Sequence, residues 1–215
     1  IMAKSTMHHA KAIPAQVRAY LYLRISPDDS RVAIDVRDQE RDIWLWEFAR
    51  RTLTRFTFAP RPDRFPVWTS DGRRVLYTSE RPGTPGGAVT RNLFSQASDG
   101  TGVAEQLTQN TTTADKAPTG VSPDGTWVIL RDGEPQAFDV SRLALGSDHR
   151  IEPLVHTPFS EQNGEVSPDG RWLAYQSNDS GRAEIWVRQF ADVNGGRWQV
   201  SSGGGFQPLW SRAGK

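Results

Sequence analysis

Short runs in which apolar and polar residues alternate recur down the chain. Arg31-Val32-Ala33-Ile34-Asp35-Val36 is followed by Arg74-Val75-Leu76-Tyr77-Thr78-Ser79, Trp127-Val128-Ile129-Leu130-Arg131 and Trp172-Leu173-Ala174-Tyr175-Gln176-Ser177. Runs this short, with a period near two and rich in β-branched and aromatic residues, read as strands. A turn signal precedes each one: Ser26-Pro27-Asp28-Asp29, Thr69-Ser70-Asp71-Gly72, Ser122-Pro123-Asp124-Gly125 and Ser167-Pro168-Asp169-Gly170. A second run with aromatics follows at 42–46, 92–95, 137–140 and 184–187, and then a polar strand at 53–57, 105–108, 152–155 and 198–201. The stretches ahead of the turns, 65–68, 118–121, 163–166 and 207–210, also read as extended.

Each unit therefore holds four short strands within roughly 45 residues, the pattern of a propeller blade. Asp28, Asp71, Asp124 and Asp169 mark the repeat, and Trp210-Ser211-Arg212-Ala213-Gly214 is a degraded fifth copy. The longer second interval has a visible source in Gly83-Thr84-Pro85-Gly86-Gly87, which reads as an inserted loop. The predicted fold is all-β: a β-propeller of four complete four-stranded blades at about 20–58, 63–108, 115–156 and 160–202, plus the first strand of a fifth within 205–215. Residues 1–19 read as leader or linker. In the turns, Pro presets φ, Asp or Ser bonds local amides and Gly accepts positive φ. The four Asp residues lie on four different blades, so turn capping rather than metal binding is expected of them.

These residues resemble the TolB-like branch of WD-like propeller repeats. Pro66-Val67-Trp68 and Pro208-Leu209-Trp210 match its Pro-x-Trp element, Leu107-Thr108 its Leu-Thr element, and Phe56-Thr57 comes near it. Runs 42–50 and 175–188 are similar to propellers fused behind bacterial serine/threonine kinase domains. The resemblance covers roughly residues 20–215 and implies a scaffold that binds proteins, peptides or small ligands. In prolyl-oligopeptidase-like enzymes such blades gate a separate hydrolase domain. This chain carries no kinase segment and no Gly-x-Ser-x-Gly elbow.

Rings of that family usually hold more blades, so closure becomes a question. Residues 1–19 could complete a fifth blade, the chain could be part of a longer one, or two chains could combine into an eight-bladed ring. Self-association as a dimer is the expectation, because open blade faces and strand edges favour it. Trp68, Trp127, Trp172 and Trp210 sit beside the repeat turns where blades pack, and one aromatic side chain buries about 150–250 Å².

Composition narrows the function. A formal net charge of +1 gives no field for nucleic acid or an anionic membrane, so neither is expected as a partner. The absence of cysteine removes a disulfide framework, a thiolate zinc site and a cysteine nucleophile. No apolar stretch is long enough for a membrane helix, and the first residues lack the apolar core of a signal peptide. A soluble protein of the bacterial periplasm or cytoplasm is expected. His8 and His9 read as incidental rather than as a metal-binding pair.

Propeller ligands usually sit at the mouth of the central channel. The residues ahead of the inner strands are Asp63, Arg64, Asp115, Lys116, Glu161, Gln162, Asn163 and Gln207, with Glu165 inside its strand. This polar set predicts a binding mouth for a protein, peptide or small molecule, with no cofactor. The alternative is a channel calcium held by the carboxylates, which would make the chain a metal-dependent ester or phosphoester hydrolase. His149 and His156 flank an outer strand and read as surface residues, not general bases. Ser201-Ser202-Gly203-Gly204-Gly205 lacks the phosphate-loop lysine and reads as an inter-blade loop. The arginines at 50, 51, 55, 61, 64, 73 and 74 read as a solvated face.

Overall fold

A computed structural model describes residues 14–15, 18–82, 89–110, 112, 114–146, 148–211 and 214, with the side chains of 81 and 82 left out. Most of the proposed leader, with His8 and His9, the inserted loop at 83–87 and Arg212 and Ala213 of the fifth turn lie outside the described residues.

The described residues form strands and no helix. Blade 1 comprises β1 (Tyr20–Ile25), β2 (Arg31–Val36), β3 (Ile43–Glu47) and β4 (Thr52–Arg55). Blade 2 comprises β5 (Asp63–Trp68), β6 (Arg74–Pro82), β7 (Val89–Ala97) and β8 (Glu105–Gln106). Blade 3 comprises β9 (Asp115–Val121), β10 (Trp127–Glu134), β11 (Ala137–Ala144) and β12 (Ile151–Val155). Blade 4 comprises β13 (Glu161–Val166), β14 (Trp172–Ser177), β15 (Glu184–Gln189) and β16 (Arg197–Gln199). Each is an antiparallel meander whose strands pair in chain order. The blades stand in a ring with β1, β5, β9 and β13 innermost, neighbour against neighbour.

The turn between inner and second strand explains why the repeat folds this way. Asp28 Oδ1 accepts from the Ser26 hydroxyl and the Ser30 amide, and Ser26 Oγ accepts from the Arg31 amide. Thr69 and Asp71, Ser122 and Asp124, and Ser167 and Asp169 repeat this arrangement. Gly72, Gly125 and Gly170 take φ of 68°, 74° and 72°, and blade 1 manages the same conformation with Asp29 at 59°. The four repeat aspartates are thus turn caps.

The ends of the third and fourth strands share another device. The Ile43, Leu93 and Ile185 amides donate to the hydroxyls of Thr57, Thr108 and Ser201. Those hydroxyls donate in turn to Asp42, Asn92 and Glu184. This gives the Thr of the Leu-Thr element a physical job. Blade 3 replaces the pair with His156 and Asp139, 2.8 Å apart.

Packing is between blades. Ala33, Ile43 and Phe56 of blade 1 cluster with Trp68, Val75 and Tyr77 of blade 2. Leu76, Leu93 and Leu107 meet Val128, Leu130 and Leu143. Ile129, Val140 and Val155 meet Val166, Leu173 and Tyr175. Trp68 Nε1 donates to the Arg24 carbonyl of β1 at 2.8 Å, locking blade 2 onto blade 1. Residues 206–210 form no ladder, yet Trp210 Nε1 donates to the Glu165 carbonyl of β13 at 3.0 Å. The segment therefore occupies the place of a fifth inner strand.

Candidate functional site: the channel mouth

Every inner strand carries an irregularity in its pairing with the second strand. Register shifts fall at Tyr20/Tyr22, Arg64/Val67, Gln162/Glu165 and, on β10 opposite β9, at Ile129/Leu130. Phe65 and Asn163 sit within theirs at φ 56°, and Gln207 of the fifth segment follows at 49°. Such bulges re-aim a side chain, and a non-glycine residue at positive φ is held there by its surroundings. The Phe65 amide donates to Asp35, itself buried and ion-paired with Arg37.

The result is a cavity of about 310 Å³ lined by Tyr22, Phe65, Pro118, Asn163 and Gln207. These belong to the four blades and the fifth segment in turn. Each precedes its own repeat position (28, 71, 124, 169, 213) by the same distance. Arg131, Gln162, Gln176 and Phe206 also line the wall. Tyr22 and Phe65 meet edge to face, with ring centroids 5.6 Å apart. The Arg131 guanidinium lies 4.9 Å from the Phe65 ring and 4.7 Å from that of Phe138, and pairs with Asp115. Asn163 Nδ2 donates to Gln176 Oε1 at 3.0 Å.

Beside the cavity a polar tie crosses the ring. Arg24 Nη2 donates to Tyr22 Oη at 2.8 Å, to the Thr119 carbonyl at 2.6 Å and to Glu165 Oε1 at 2.5 Å. Burial pushes Glu165 up to about 7 against the pull of Arg24. Its carboxylate lies against Gly120, where a β-carbon would stand 2.9 Å from Oε2.

Of the nine residues expected at the mouth, the cavity wall takes Gln162, Asn163 and Gln207. Asp63 is buried at the head of β5, its amide donating to the Arg41 carbonyl. Arg64 pairs with Glu80 at 3.2 Å, Lys116 with Asp132 at 2.5 Å, and Asp115 with the wall residue Arg131. Glu161 is buried with Oε1 accepting from Thr157 and Ser177, and burial raises its pKa. The carboxylates therefore do not converge. Among the described residues, no group of three or more His, Cys, Asp or Glu side chains is placed to hold a metal ion. Sequence reasoning missed Tyr22, Phe65 and Arg131. The first two were recoverable by counting back from each repeat turn, since the same position in blade 4 is Asn163.

Four small antiparallel sheets around an axis, with a lined mouth and a turn cap in every blade, define a β-propeller domain. Residues 21–214 match the TolB beta propeller domain, and the chain belongs to that family. Over 70 residues it is 34% identical to an uncharacterised protein of Agrobacterium fabrum, a match covering 31% of this chain and 22% of that one. The fold superposes on a putative TolB from Agrobacterium tumefaciens with a TM-score of 0.79 at 18% identity, covering 95% of this chain and 70% of that one. For TolB from Acinetobacter baumannii the TM-score is 0.70 at 18% identity, with 88% of this chain and 45% of that one covered. A prolyl endopeptidase gives 0.59 at 14% identity, with 85% and 28% covered. No helix among the described residues is long and apolar enough to cross a membrane.

Proposed function

We propose that this chain is a non-catalytic binding scaffold, and that its channel mouth takes a peptide segment of a protein partner. One observation carries the reading: a single cavity receives the residue at the same repeat position from each blade and from the fifth segment. Its side-chain amides suit the donors and acceptors of a peptide backbone, while Tyr22, Phe65 and Phe206 supply flat apolar surface. Arg131 adds a guanidinium already oriented by Asp115. The test is titration of 15N-labelled protein with a mixture of capped pentapeptides. Shifts centred on Tyr22, Asn163 and Gln207, and lost in Gln207→Ala, are the expected result. Ester or phosphotriester turnover that a chelator abolishes would instead favour a hydrolase.

Self-association is the second reading, favoured by an exposed apolar stripe on β1 of blade 1. Leu21, Leu23 and Ile25 of β1 are 60%, 52% and 59% exposed. An apolar row like this, packed against the same row of another copy, would be removed from water on both copies. Sedimentation should give a dimer mass that Leu23→Glu halves. A monomer at all concentrations would reject the reading.

A further inference from the structure

Blades 1, 2 and 3 each turn one face to the next blade, and they finish its outer part differently. In blade 2, Arg74 at the start of β6 reaches across the sheet. It donates to Ser95 Oγ of β7 at 2.6 Å and pairs with Glu105 of β8 at 3.2 Å. In blade 3, Arg142 lies 4.1 Å from the Trp127 ring and pairs with Glu152 of β12 at 2.7 Å. Glu105 stands opposite Ser95, and Glu152 opposite Arg142. The same register position in blade 1, opposite Leu45, is Thr54. Blade 1 thus keeps an arginine, Arg31 at the start of β2, without the carboxylate.

Arg31 turns to blade 2 instead. Its guanidinium lies 4.8 Å from the Trp68 ring and donates to the Ser98 carbonyl at 2.7 Å and Ser98 Oγ at 3.1 Å. A further bond goes to the Gly72 carbonyl at 3.4 Å. All these acceptors are neutral, and a guanidinium has donors to spare beyond them. Between the two blades lies a groove of about 630 Å³, lined by Arg31, Leu45, Thr54, Phe56, Phe58 and Ser98. Phe58 is 71% exposed. The other charges around the groove have partners. Glu47 pairs with Arg50 at 3.2 Å and Arg55 with Asp42 at 2.5 Å, while Asp99 accepts from the Thr101 amide and hydroxyl. Blade 2 already packs on this face, so the groove owes its opening to Thr54 and to the course of Arg31.

We propose that this groove binds a small amphipathic carboxylate. Its carboxylate meets Arg31 at the place that Glu105 and Glu152 hold in the other blades, and its apolar body lies on Leu45, Phe56 and Phe58. A space of this size suits a small molecule, and a half-buried guanidinium held by Trp68 and Ser98 selects for an anion. The site uses other residues than the channel mouth and stands whether or not the mouth takes a peptide.

The test is titration of the 15N-labelled full chain with hydrocinnamate and with hydrocinnamide, its neutral counterpart. The acid should give saturable shifts at the amides of Arg31, Leu45, Thr54 and Ser98, and the amide should bind about tenfold more weakly or less. Thr54→Glu, at an exposed position, restores the carboxylate of the other blades and should abolish the saturable shifts. Thr54→Gln adds the same bulk without charge and should retain them. Equal affinity for acid and amide, undiminished binding to Thr54→Glu, or the absence of saturable binding overturns the proposal. So does tighter binding of the capped dipeptide acetyl-Glu-Phe-amide than of the acid, which would assign the groove to a segment of a partner protein.

Discussion

At the scale of single residues, carboxylates of two kinds pull stability in opposite directions with pH. Hydrogen bonds from Ser26 and from Ser30 hold Asp28 down at about 2, and Ser167 and Arg171 do the same for Asp169. A carboxylate whose folded pKa is depressed contributes stability above its unfolded value and loses it as pH falls toward the folded one. Glu165 is the reverse case. Burial raises it to about 7 from 4.5, so the folded protein binds the extra proton between those values, and stability falls as pH rises through that window. Asp42, lifted by burial to about 6, acts in the same direction. His156, raised by its hydrogen bond to Asp139, stabilises below its ordinary range and loses that contribution as pH climbs through its folded value. The urea midpoint should therefore be highest around pH 4 to 5 and drop toward both pH 2 and pH 7. Glu165→Gln should flatten the limb from pH 5 to 7. A midpoint that rises steadily up to pH 7 would contradict this assignment.

At the scale of elements, the blade interface governs what each inner strand tolerates. Gly164 sits where a β-carbon would stand 2.9 Å from both Ile129 Cγ2 and Val140 Cγ1. Those atoms belong to the packed core of blades 3 and 4, so Gly164→Ala should cost about 1–3 kcal/mol by overpacking; thermal denaturation reads it directly. The four-strand repeat, its turns and its tryptophans were legible because each has a local chemical cause. The wall of the mouth was only partly legible. Polarity ahead of the inner strands drew attention to Asp63, Asp115 and Glu161, but all three are buried. The bulge makes the difference, since one extra residue reverses which side chain faces the axis. Phe65 carries no polarity signal, although it holds the same repeat position as Asn163. Trp68 and Trp210 show the converse: one indole bond recurs between blades 1 and 2 and between blade 4 and the fifth segment, visible in sequence only as a repeated Pro-x-Trp.

At the scale of the molecule, a series of blades that touch only their neighbours behaves like a repeat array, in which ends can open independently. Packing joins blade 1 to 2, 2 to 3 and 3 to 4, and among the described residues the strands of blades 1 and 4 share no interface of similar size. Arg24 changes that. Its guanidinium leaves β1 and bonds both the Thr119 carbonyl of blade 3 and Glu165 of blade 4, so it links the two ends of the series near the mouth cavity. Both side chains of the pair are mostly buried, 20% and 18% exposed, so solvent screens the bond only in part. Arg24→Met keeps the length of the stem while removing the donors. It should speed amide exchange in β1 and β13 and leave β6 and β7 unchanged, because the latter are held by neighbours on both sides. Combining it with Glu165→Gln should show a coupling energy of about 1 kcal/mol or more, as expected for residues sharing one bond. Uniform acceleration of exchange across all four blades would mean instead that the ring unfolds as one unit and that Arg24 only adds to its total stability.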